Sequence, residues 1–435
     1  MDAAIFAKAK DLKDKILFTL FILLVYRLGC YIAVPGIDAS AMAEFSSANS
    51  KGILSMFNAL SGGALSRLSV FSLSIFPYIT SSILMQLLVA TYKPLEEMKK
   101  DSEDGMRKIN QYTRYLTVAL AMFQAYGVAR GLEGSASKFA GIVHDPGMFF
   151  RLGVMVSLTA GTMVLMWLGE QISSKGIGNG ISLIIFSGIV AGLPQAFISV
   201  LELVRSGSMG PVTLVAVIVA IFGLIYLVVV AERAQRKISV QYPKRQVGNK
   251  IFGGDSTHLP LKLNTAGVIP PIFANSILMF PLTIASFMTL KEGSLWNNVL
   301  IYLGRGKPLY LILSVMLIVF FSFFYTSIVF NSNDTAEMLK KNGGFLHGRR
   351  PGHDTAVYFD YVLTRLTTVG SIYISFICVL PEYISSKYSI PFYLGGTSFL
   401  IVVSVIMDTF VQIQSSLFAY QYESLIRKSK LRGMF

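Results

Sequence analysis

Ten apolar runs separated by polar links constrain this chain more than any other feature of its sequence. Each run holds about 20 residues, and a helix of that length, rising about 1.5 Å per residue, crosses the roughly 30 Å of hydrocarbon in a bilayer. The runs cover residues 15–34, 70–90, 111–131, 148–168, 179–200, 212–231, 266–288, 308–330, 361–383 and 391–412. Charged residues make up only 14% of the chain, against about 25% in soluble proteins. The sequence therefore predicts an all-α polytopic membrane protein with ten transmembrane helices.

The even number of spans places both termini on the same side of the membrane. The polar segments on that side hold most of the 38 Lys and Arg residues, and positively charged loops stay in the cytosol. No small-residue cleavage site precedes the first apolar run, so we do not expect a cleaved signal peptide. Both termini, including the tail 413–435, are predicted to be cytosolic.

The short link 201–211 divides the ten spans into two groups of five. Because each group has an odd number of spans, residues 212–412 must enter the membrane from the side opposite to residues 1–200. Inverted repeats of this kind build their working site at the midplane between the halves. The prediction of two inverted halves rests on span count and link position, since the halves share no strong residue-level similarity.

The segment around the second run does not have the composition of a simple crossing. Residues 53–65 are rich in Ser and Asn and contain Gly62 and Gly63, whereas residues 70–89 are long enough to span, with Pro77 near their middle. Irregular backbone persists at membrane depth only where protein or water surrounds it. Two interpretations stay open from these residues, a half-helix that dips into the membrane and a loop with one helical turn at the interface.

Two cytosolic loops, 232–262 and 331–360, are much longer than most links on the opposite side. Both combine clustered Lys and Arg with Tyr, Phe and Leu, a composition typical of a surface that docks an acidic partner such as ribosomal RNA or an acidic protein. The alternative is a pair of solvated linkers that follow the positive-inside bias.

The residue patterns of an enzyme are missing from the sequence. All four histidines lie in loops, both cysteines lie within apolar runs, and there is no GxxxxGK[ST] phosphate loop. We therefore expect no catalytic residue, no metal and no cofactor.

Charges within the spans are sparse, and for Arg27 and Asp408 a structural role, snorkelling or local pairing, is favoured. Two alternatives need groups that are not evident here: a small-solute secondary transporter needs a polar midplane site, and an intramembrane protease needs an acidic mate for Asp408.

Isoleucines recur near the centres of several spans. Ile75 and Ile79 flank Pro77, and Ile181 and Ile185 are four residues apart. Taken singly, such residues are ordinary core or lipid-facing side chains. As a set with Ile269, Ile272 and Ile406, they are able to form a narrow apolar collar that excludes water and ions by dewetting.

The run 170–194, EQISSKGIGNGISLIIFSGIVAGLP, is similar to the fifth-span signature of the SecY/Sec61-alpha family of protein-conducting channels. Five further stretches resemble the same family in the same order along nearly the whole chain. They are FNALSGGALSRLSVFSLSIFPYITSSILMQLL, ERAQRKISVQYPKRQ, STHLPLKLNTAGVIPPIFANSILMFP, GRRPGHDTAVYFDYVLTRLT and VIMDTFVQIQSSLFAYQYESLIRK.

The resemblance implies a clamshell of two five-span halves hinged at 201–211, with an hourglass pore between them. It implies a pore ring of Ile75, Ile79, Ile181, Ile185, Ile272 and Ile406. It implies a re-entrant plug helix within 54–66, with Met56, Phe57, Asn58, Leu60, Ser61, Gly62, Gly63 and Leu65. A lateral gate between the second and seventh spans would include Gln86, Asn275 and Phe280, and the polar pair Gln86 and Asn275 is expected to bridge the closed gate.

The resemblance also implies the surroundings of the channel. Partners of the family are the small subunits SecE and SecG, the motor ATPase SecA, the ribosome, signal sequences, unfolded polypeptides and membrane lipids. The two cytosolic loops correspond to docking sites, and their contact residues are expected to be Lys244, Arg245, Lys250, Arg349 and Arg350. The expected function is translocation of secretory polypeptides across, and release of membrane spans into, a bacterial plasma membrane.

Overall fold

The protein is described from a computed structural model in which every predicted span coincides with a helix. The structure describes residues 10–38, 40–42, 44, 58, 61–101, 103–136, 143, 145–207, 210–242, 245–247, 250–252, 256–287, 307–388 and 395–432. Within these ranges, six helices are long and apolar enough to cross a membrane by length and composition alone, and two more are apolar but shorter. The predicted ten-span helical architecture is confirmed.

Helices in the first half of the chain are α1 (Lys10–Gly29), α2 (Phe76–Thr91), α3 (Lys93–Asp101), α4 (Glu103–Ala136), α5 (Met148–Lys175) and α6 (Gly180–Arg205). Those in the second half are α7 (Pro211–Arg233), α8 (Ile269–Phe287), α9 (Pro308–Val329), α10 (Ser332–Lys341), α11 (His353–Tyr388) and α12 (Gly396–Arg432). The short α3 and α10 carry many charges and lie outside the apolar runs. The other ten helices are the ten spans.

Four pairs of neighbouring spans recur in both halves of the chain. In the first half α2 packs on α4, α4 on α5, α5 on α6 and α1 on α6. The equivalent pairs in the second half, α8 with α9, α9 with α11, α11 with α12 and α7 with α12, are also in contact. This shared order supports the predicted repeat, since two related five-span units would repeat their internal packing.

The second span starts later than the sequence predicted. Residues 61–75 form a series of turns, and the helix begins at Phe76 with Pro77 in its first turn rather than near its middle. Proline suits the first turn of a helix because its missing N–H has no partner to lose there, whereas in a helix interior it disrupts the hydrogen-bond ladder. The prediction of a span from residue 70 was therefore wrong by about two turns of helix.

A small subdomain on the side predicted to be cytosolic, hereafter the cytosolic subdomain, combines the two long loops that the sequence treated as separate. Its strands are β1 (Gln235–Gln241), β2 (Arg245–Val247), β3 (Lys250–Phe252), β4 (Ser256–Lys262) and β5 (Phe345–Leu346). They form an antiparallel sheet of order β4-β1-β5 and a separate β2-β3 hairpin. The pair of solvated linkers considered above is therefore not what these residues form.

The core of this subdomain joins both loops to the start of α11. Ile238 and Val240 of β1 alternate inward and pack with Leu346 of β5 and with Phe359 of α11. The Phe359 ring is fully buried and makes an edge-to-face contact with Phe330, with ring centroids 6.1 Å apart. The ninth span therefore carries the cytosolic subdomain on its first turns.

Truncation of the Phe359 ring tests whether the two loops fold as one unit. The Phe359→Ala variant should lose about 3–5 kcal/mol of local stability, because it leaves a cavity in a fully buried site. Amide hydrogen exchange should then become faster in β1 and β4 together. The control is Val357→Ala on the same helix, where the side chain is 52% exposed. Faster exchange confined to α11 would contradict a shared core.

Candidate functional site

Five of the six predicted ring isoleucines come together where the two halves meet. Ile75, Ile79 and Ile185 are buried members of one large apolar cluster, and Ile181 and Ile272 are partly buried and pack against it. Ile181 and Ile185 are four residues apart on α6 and so lie on one helix face. Ile75 immediately precedes α2, and its carbonyl oxygen accepts from Ile79 N at 3.1 Å. The cluster also includes residues of α1, α5, α9 and α12, so it forms an apolar waist shared by both halves.

Ile406 is placed differently from the other five. Its side chain is 51% exposed and lies outside the cluster, to which α12 contributes Ile401 and Val405 instead. Its place in the ring stays a prediction. Phe273 of α8 and Phe321 of α9, which the sequence did not single out, meet edge to face in the same cluster at 5.5 Å between ring centroids.

The turns at residues 61–75 include the last part of the plug predicted within 54–66 and continue beyond it to α2; these turns, called the plug segment below, lie inside the bundle. The plug segment pairs with the chain after α1, since Val34 N donates to Leu68 O at 3.0 Å and Val70 N donates to Ile32 O at 2.9 Å. Ser61, Ala64 and Leu65 are buried. Surrounding protein thus supplies the hydrogen bonds that lipid does not offer to irregular backbone, which favours the re-entrant interpretation over an interfacial loop.

Side chains of α1 hold the start of the plug segment by its backbone. Arg27 Nη1 donates to the Gly62 carbonyl oxygen at 3.1 Å, and Tyr26 Oη donates to the Ser61 carbonyl oxygen at 3.4 Å. The Arg27 guanidinium also lies 6.0 Å from the ring centroid of Tyr31. Arg27 therefore binds the plug segment, a role beyond the snorkelling that the sequence favoured.

The rest of the predicted plug is only partly described. Asn58 organises the turn that follows it, because its Oδ1 accepts from Ser66 N at 2.8 Å and its carbonyl oxygen accepts from Gly63 N at 2.8 Å. Three predicted plug residues, Met56, Phe57 and Leu60, lie outside the described residues.

Glycines let the plug segment approach the surrounding helices closely. Gly62 has a φ of +66°, and a Cβ there would lie 2.5 Å from Arg27 Nη1 and 2.9 Å from Gly188 O of α6. A Cβ on Gly161 of α5 would overlap the carbonyl oxygen of Val70. The segment is therefore fitted to α1, α5 and α6, all in the first half.

The seam between α2 and α8, the predicted lateral gate, is closed in this conformation. The two helices are in contact, and Ile83 of α2 and Phe273 of α8 belong to the waist cluster. The expected polar bridge is not formed. Gln86 Nε2 instead donates to Ser82 Oγ at 3.3 Å within α2, and Asn275 Oδ1 accepts from Tyr310 Oη of α9 at 3.5 Å. Each amide finds a nearer partner in its own half.

Phe280, the third predicted gate residue, belongs to α8, but its side chain lies outside the described part of the structure.

The predicted docking cations lie on the cytosolic subdomain. Arg349 and Arg350 are exposed, and the Arg349 guanidinium lies 5.4 Å from the ring centroid of Tyr358. The backbone carbonyl of Arg350 accepts from Thr355 Oγ1 at 2.9 Å. This bond does not involve the guanidinium of the exposed Arg350 side chain. Arg245 and Lys250 belong to the β2-β3 hairpin, with no side-chain description, and Lys244 lies outside the described residues.

Glu232 at the end of α7 is a polar residue that the sequence analysis missed. Its Oε1 accepts from Asn264 Nδ2 at 2.9 Å, and it lies close enough to Asp408 for the two charges to interact. Asp408 therefore has an acidic neighbour, although 176 positions separate them in the sequence. The Asn264 bond ties the end of α7 to the link before α8, which is a structural use of the carboxylate.

Ten helices around an apolar waist, with an irregular segment inserted among them and a closed seam between α2 and α8, have the architecture of a membrane channel. The sequence profile of the SecY family matches residues 69–410. Curated relatives named protein translocase subunit SecY are 56% identical in Rickettsia bellii (98% of each chain covered) and 50% identical in Escherichia coli K12 (97% of this chain, 96% of the relative). The chain belongs to the SecY family.

Solved structures agree with this assignment at the level of the fold. A structure described as a protein conducting channel matches with a TM-score of 0.65 and 18% identity, over 93% of this chain and 92% of that one. Sec61 in a canine ribosome-channel complex matches with a TM-score of 0.63 over the same shares of the two chains, at 18% identity. The chain is thus a protein-conducting channel subunit of a translocase, and the small-solute transporter alternative is not supported.

A methyl group on Gly62 should displace the plug segment from its position in the bundle. The Gly62→Ala variant should leak ions several-fold more than the parent channel at rest, because its Cβ meets Arg27 and the Gly188 carbonyl. Single-channel conductance in planar bilayers measures the leak. Gly63→Ala is the matched control, since its φ of +85° carries the same backbone strain but its Cβ has 4.0 Å to the nearest neighbour, Ser66 Oγ. Equal leakage from both variants would show that strain alone matters.

Proposed function

We propose that this chain passes unfolded secretory polypeptides through its waist and releases apolar segments sideways into lipid between α2 and α8. The observation that carries the proposal is the shared apolar cluster, in which side chains of both halves meet around Ile75, Ile79 and Ile185. A waist of this composition offers no hydrogen bonds that some peptides satisfy and others do not. It therefore suits substrates of any sequence.

At rest the waist seals by dewetting, since a narrow apolar constriction holds water poorly. The plug segment supports the seal from one side through its contacts with Arg27 and Gly188. Separation of the halves breaks contacts between apolar side chains, which are individually weak and non-directional. A passing chain replaces those contacts, so the ring closes around it.

The sideways exit follows from the apolar character of the seam. Because Gln86 and Asn275 are bonded within their own halves, parting α2 from α8 leaves neither amide without a partner. Hydrogen bonds between membrane helices contribute about 0.6 to 2 kcal/mol each, and none of that is lost here on opening. An apolar signal helix is able to take the place of one gate helix against the other.

We further propose that the cytosolic subdomain receives the partners that drive transport. Arg349 and Arg350 on one loop, and Lys244, Arg245 and Lys250 on the other, would pair with phosphates of ribosomal RNA or carboxylates of the motor ATPase SecA. Similar folds named Sec61 and Ssh1 are described in complexes with ribosomes, which supports a ribosome contact. Because one core joins both loops, a partner bound to either biases the same closed-to-open equilibrium.

The proposed setting is a bacterial plasma membrane, with both termini in the cytosol and SecE and SecG as small accessory subunits. The bacterial relatives at 50–56% identity support the setting. The cytosolic charge excess of the sequence supports the orientation. Exposed apolar residues along α7, among them Val215, Val219 and Phe222, suit contact with lipid or with single-span subunits.

A polar residue in the ring should loosen the seal. Ile79→Asn and Ile406→Asn should each raise the ion leak and allow precursors with defective signal sequences to cross several-fold more often, because the constriction becomes wettable. The assay reconstitutes the channel with the motor ATPase in vesicles and measures protease-protected precursor. Ile312→Asn, at a 58% exposed site on α9, is the control. Unchanged ion leak and signal selectivity in the Ile79→Asn channel would contradict a seal at the waist. Unchanged values in the Ile406→Asn channel alone would show only that Ile406 is not part of the ring.

Loss of the exposed Arg350 guanidinium should uncouple the motor ATPase from translocation through the channel. Arg350→Ala should lower motor-driven translocation at least tenfold while leaving the resting conductance of the channel unchanged, since the residue lies on the surface of the cytosolic subdomain. Lys237→Ala removes an exposed cation from β1 of the same subdomain and serves as the control. Equal losses for both variants would indicate a general charge effect instead of a specific contact.

A further inference from the structure

The turn 176–180, with the sequence GIGNG, is bonded to three different parts of the molecule. Ile177 N donates to Thr19 Oγ1 of α1 at 3.1 Å, and Gly180 N donates to Ser173 Oγ of α5 at 2.9 Å. Gly178 N donates to Gln412 Oε1 of α12 at 2.8 Å. The last bond crosses from the first half of the chain to the second.

The glycines of the turn are required by the same contacts. A Cβ on Gly176 would lie 2.5 Å from Thr19 Oγ1, and a Cβ on Gly180 would overlap the backbone of Gly169 in α5. Gly178 has a φ of +91°, and its Cβ would lie 2.8 Å from Leu183 Cδ1 of α6 and 3.4 Å, an ordinary contact distance, from Thr409 Oγ1 of α12. Gly176 and Gly180 therefore allow close approaches to α1 and α5, whereas Gly178 supplies the left-handed backbone conformation that the turn needs beside α12.

Apolar packing surrounds the bond between the halves. Ile177 and Leu12 are buried together, and Ile16 of α1 with Ile413 and Leu417 of α12 pack against them. The α12 residues Gln412, Ile413 and Leu417 thus hold the turn by one hydrogen bond and two aliphatic contacts. The helices α12 and α6 are also in contact with each other.

We propose that the turn 176–180 and Gln412 form a second pivot between the halves, in addition to the covalent link 201–211. The two pivots lie at opposite ends of α6, so a line through them runs along the α6–α12 contact. Rotation of the halves about that line parts α2 from α8 and keeps the α6–α12 contact closed. Gln412 is a positioning residue, because its bond to Gly178 keeps the rotation of the halves on one axis. A signal helix that binds between α2 and α8 then opens the gate by that one rotation.

A single hydrogen bond to a backbone N–H suits a pivot. The donor belongs to the turn and does not depend on side-chain rotamers, while the Gln412 amide is able to rotate around it as the halves move. The flanking contacts of Ile413 and Leu417 are aliphatic and tolerate the same rotation. Such a joint resists separation of the halves more than it resists their rotation.

Spin-label distances test the pivot and rest on the sideways opening proposed above. One label pair, Ser174→Cys with Ser416→Cys, brackets the pivot at exposed sites, and the other, Leu84→Cys with Ile277→Cys, brackets the seam. Both pairs are placed in Cys30→Ala, Cys378→Ala channels reconstituted in vesicles, without and with an apolar signal peptide. The peptide should widen the seam distance by several ångströms and leave the pivot distance narrow and unchanged.

The variants separate the role of Gln412 from general damage. Gln412→Ala should broaden the pivot distances and admit precursors with defective signals several-fold more often, whereas Gln412→Glu, which keeps the acceptor oxygen, should restore both readouts. Gln414→Ala, an exposed neighbour with no hydrogen bond among the described residues, should behave like the parent channel.

Three results would overturn the pivot. A pivot distance that grows together with the seam rejects it while leaving sideways opening intact. A Gln412→Ala channel with unchanged pivot distances rejects the role of Gln412. A seam that stays closed with the peptide bound rejects sideways opening itself, and with it any axis that guides the opening.

Discussion

The rule that a backbone N–H or C=O at membrane depth must find a partner within the protein governs this structure. Helices satisfy the rule locally, and ten of them make up the membrane part. The turns of the plug segment satisfy it only in part, and Tyr26, Arg27 and the chain after α1 supply further hydrogen bonds. Strands occur in the described part of the chain only as isolated bridges and in the cytosolic subdomain, where water can complete the sheet edges.

Contacts of different strength divide the molecule into parts that stay together and parts that separate. Within the first half, ion pairs fasten the fourth span to the third, with Arg114 bonded to Glu170 at 2.7 Å and Arg151 bonded to Glu133 at 2.8 Å. Across the waist and the α2–α8 seam the contacts are apolar. Apolar side chains exchange partners without leaving polar groups unsatisfied, whereas separating Arg151 from Glu133, whose side chain is only 10% exposed, would leave a nearly buried carboxylate without its closest cation. A channel that must open and reseal is therefore expected to separate along its apolar surfaces.

Sequence reasoning reached the waist through local spacing but misjudged contacts that depend on the partner helix. Ile181 and Ile185 share a face of α6 whatever surrounds them, and they lie in or against the waist together with Ile75 and Ile79. The bridge between Gln86 and Asn275 required two amides to prefer each other, and each has a closer partner in Ser82 or Tyr310. Residues 70–75 are apolar enough to extend the second span, yet residues 61–75 form turns, and the start of α2 at Phe76 follows from Pro77 and from the helices around the segment.

The sequence by itself determined the number of spans and the family, because hydropathy and motif order are both properties of neighbouring residues. Only the tertiary structure decided that the two cytosolic loops share a core, that Arg27 binds the Gly62 carbonyl, and that Gly178 bonds to Gln412 across 234 positions. Such contacts depend on how complete helices pack against one another. Local sequence patterns therefore do not predict which distant residues come into contact when two helices pack closely.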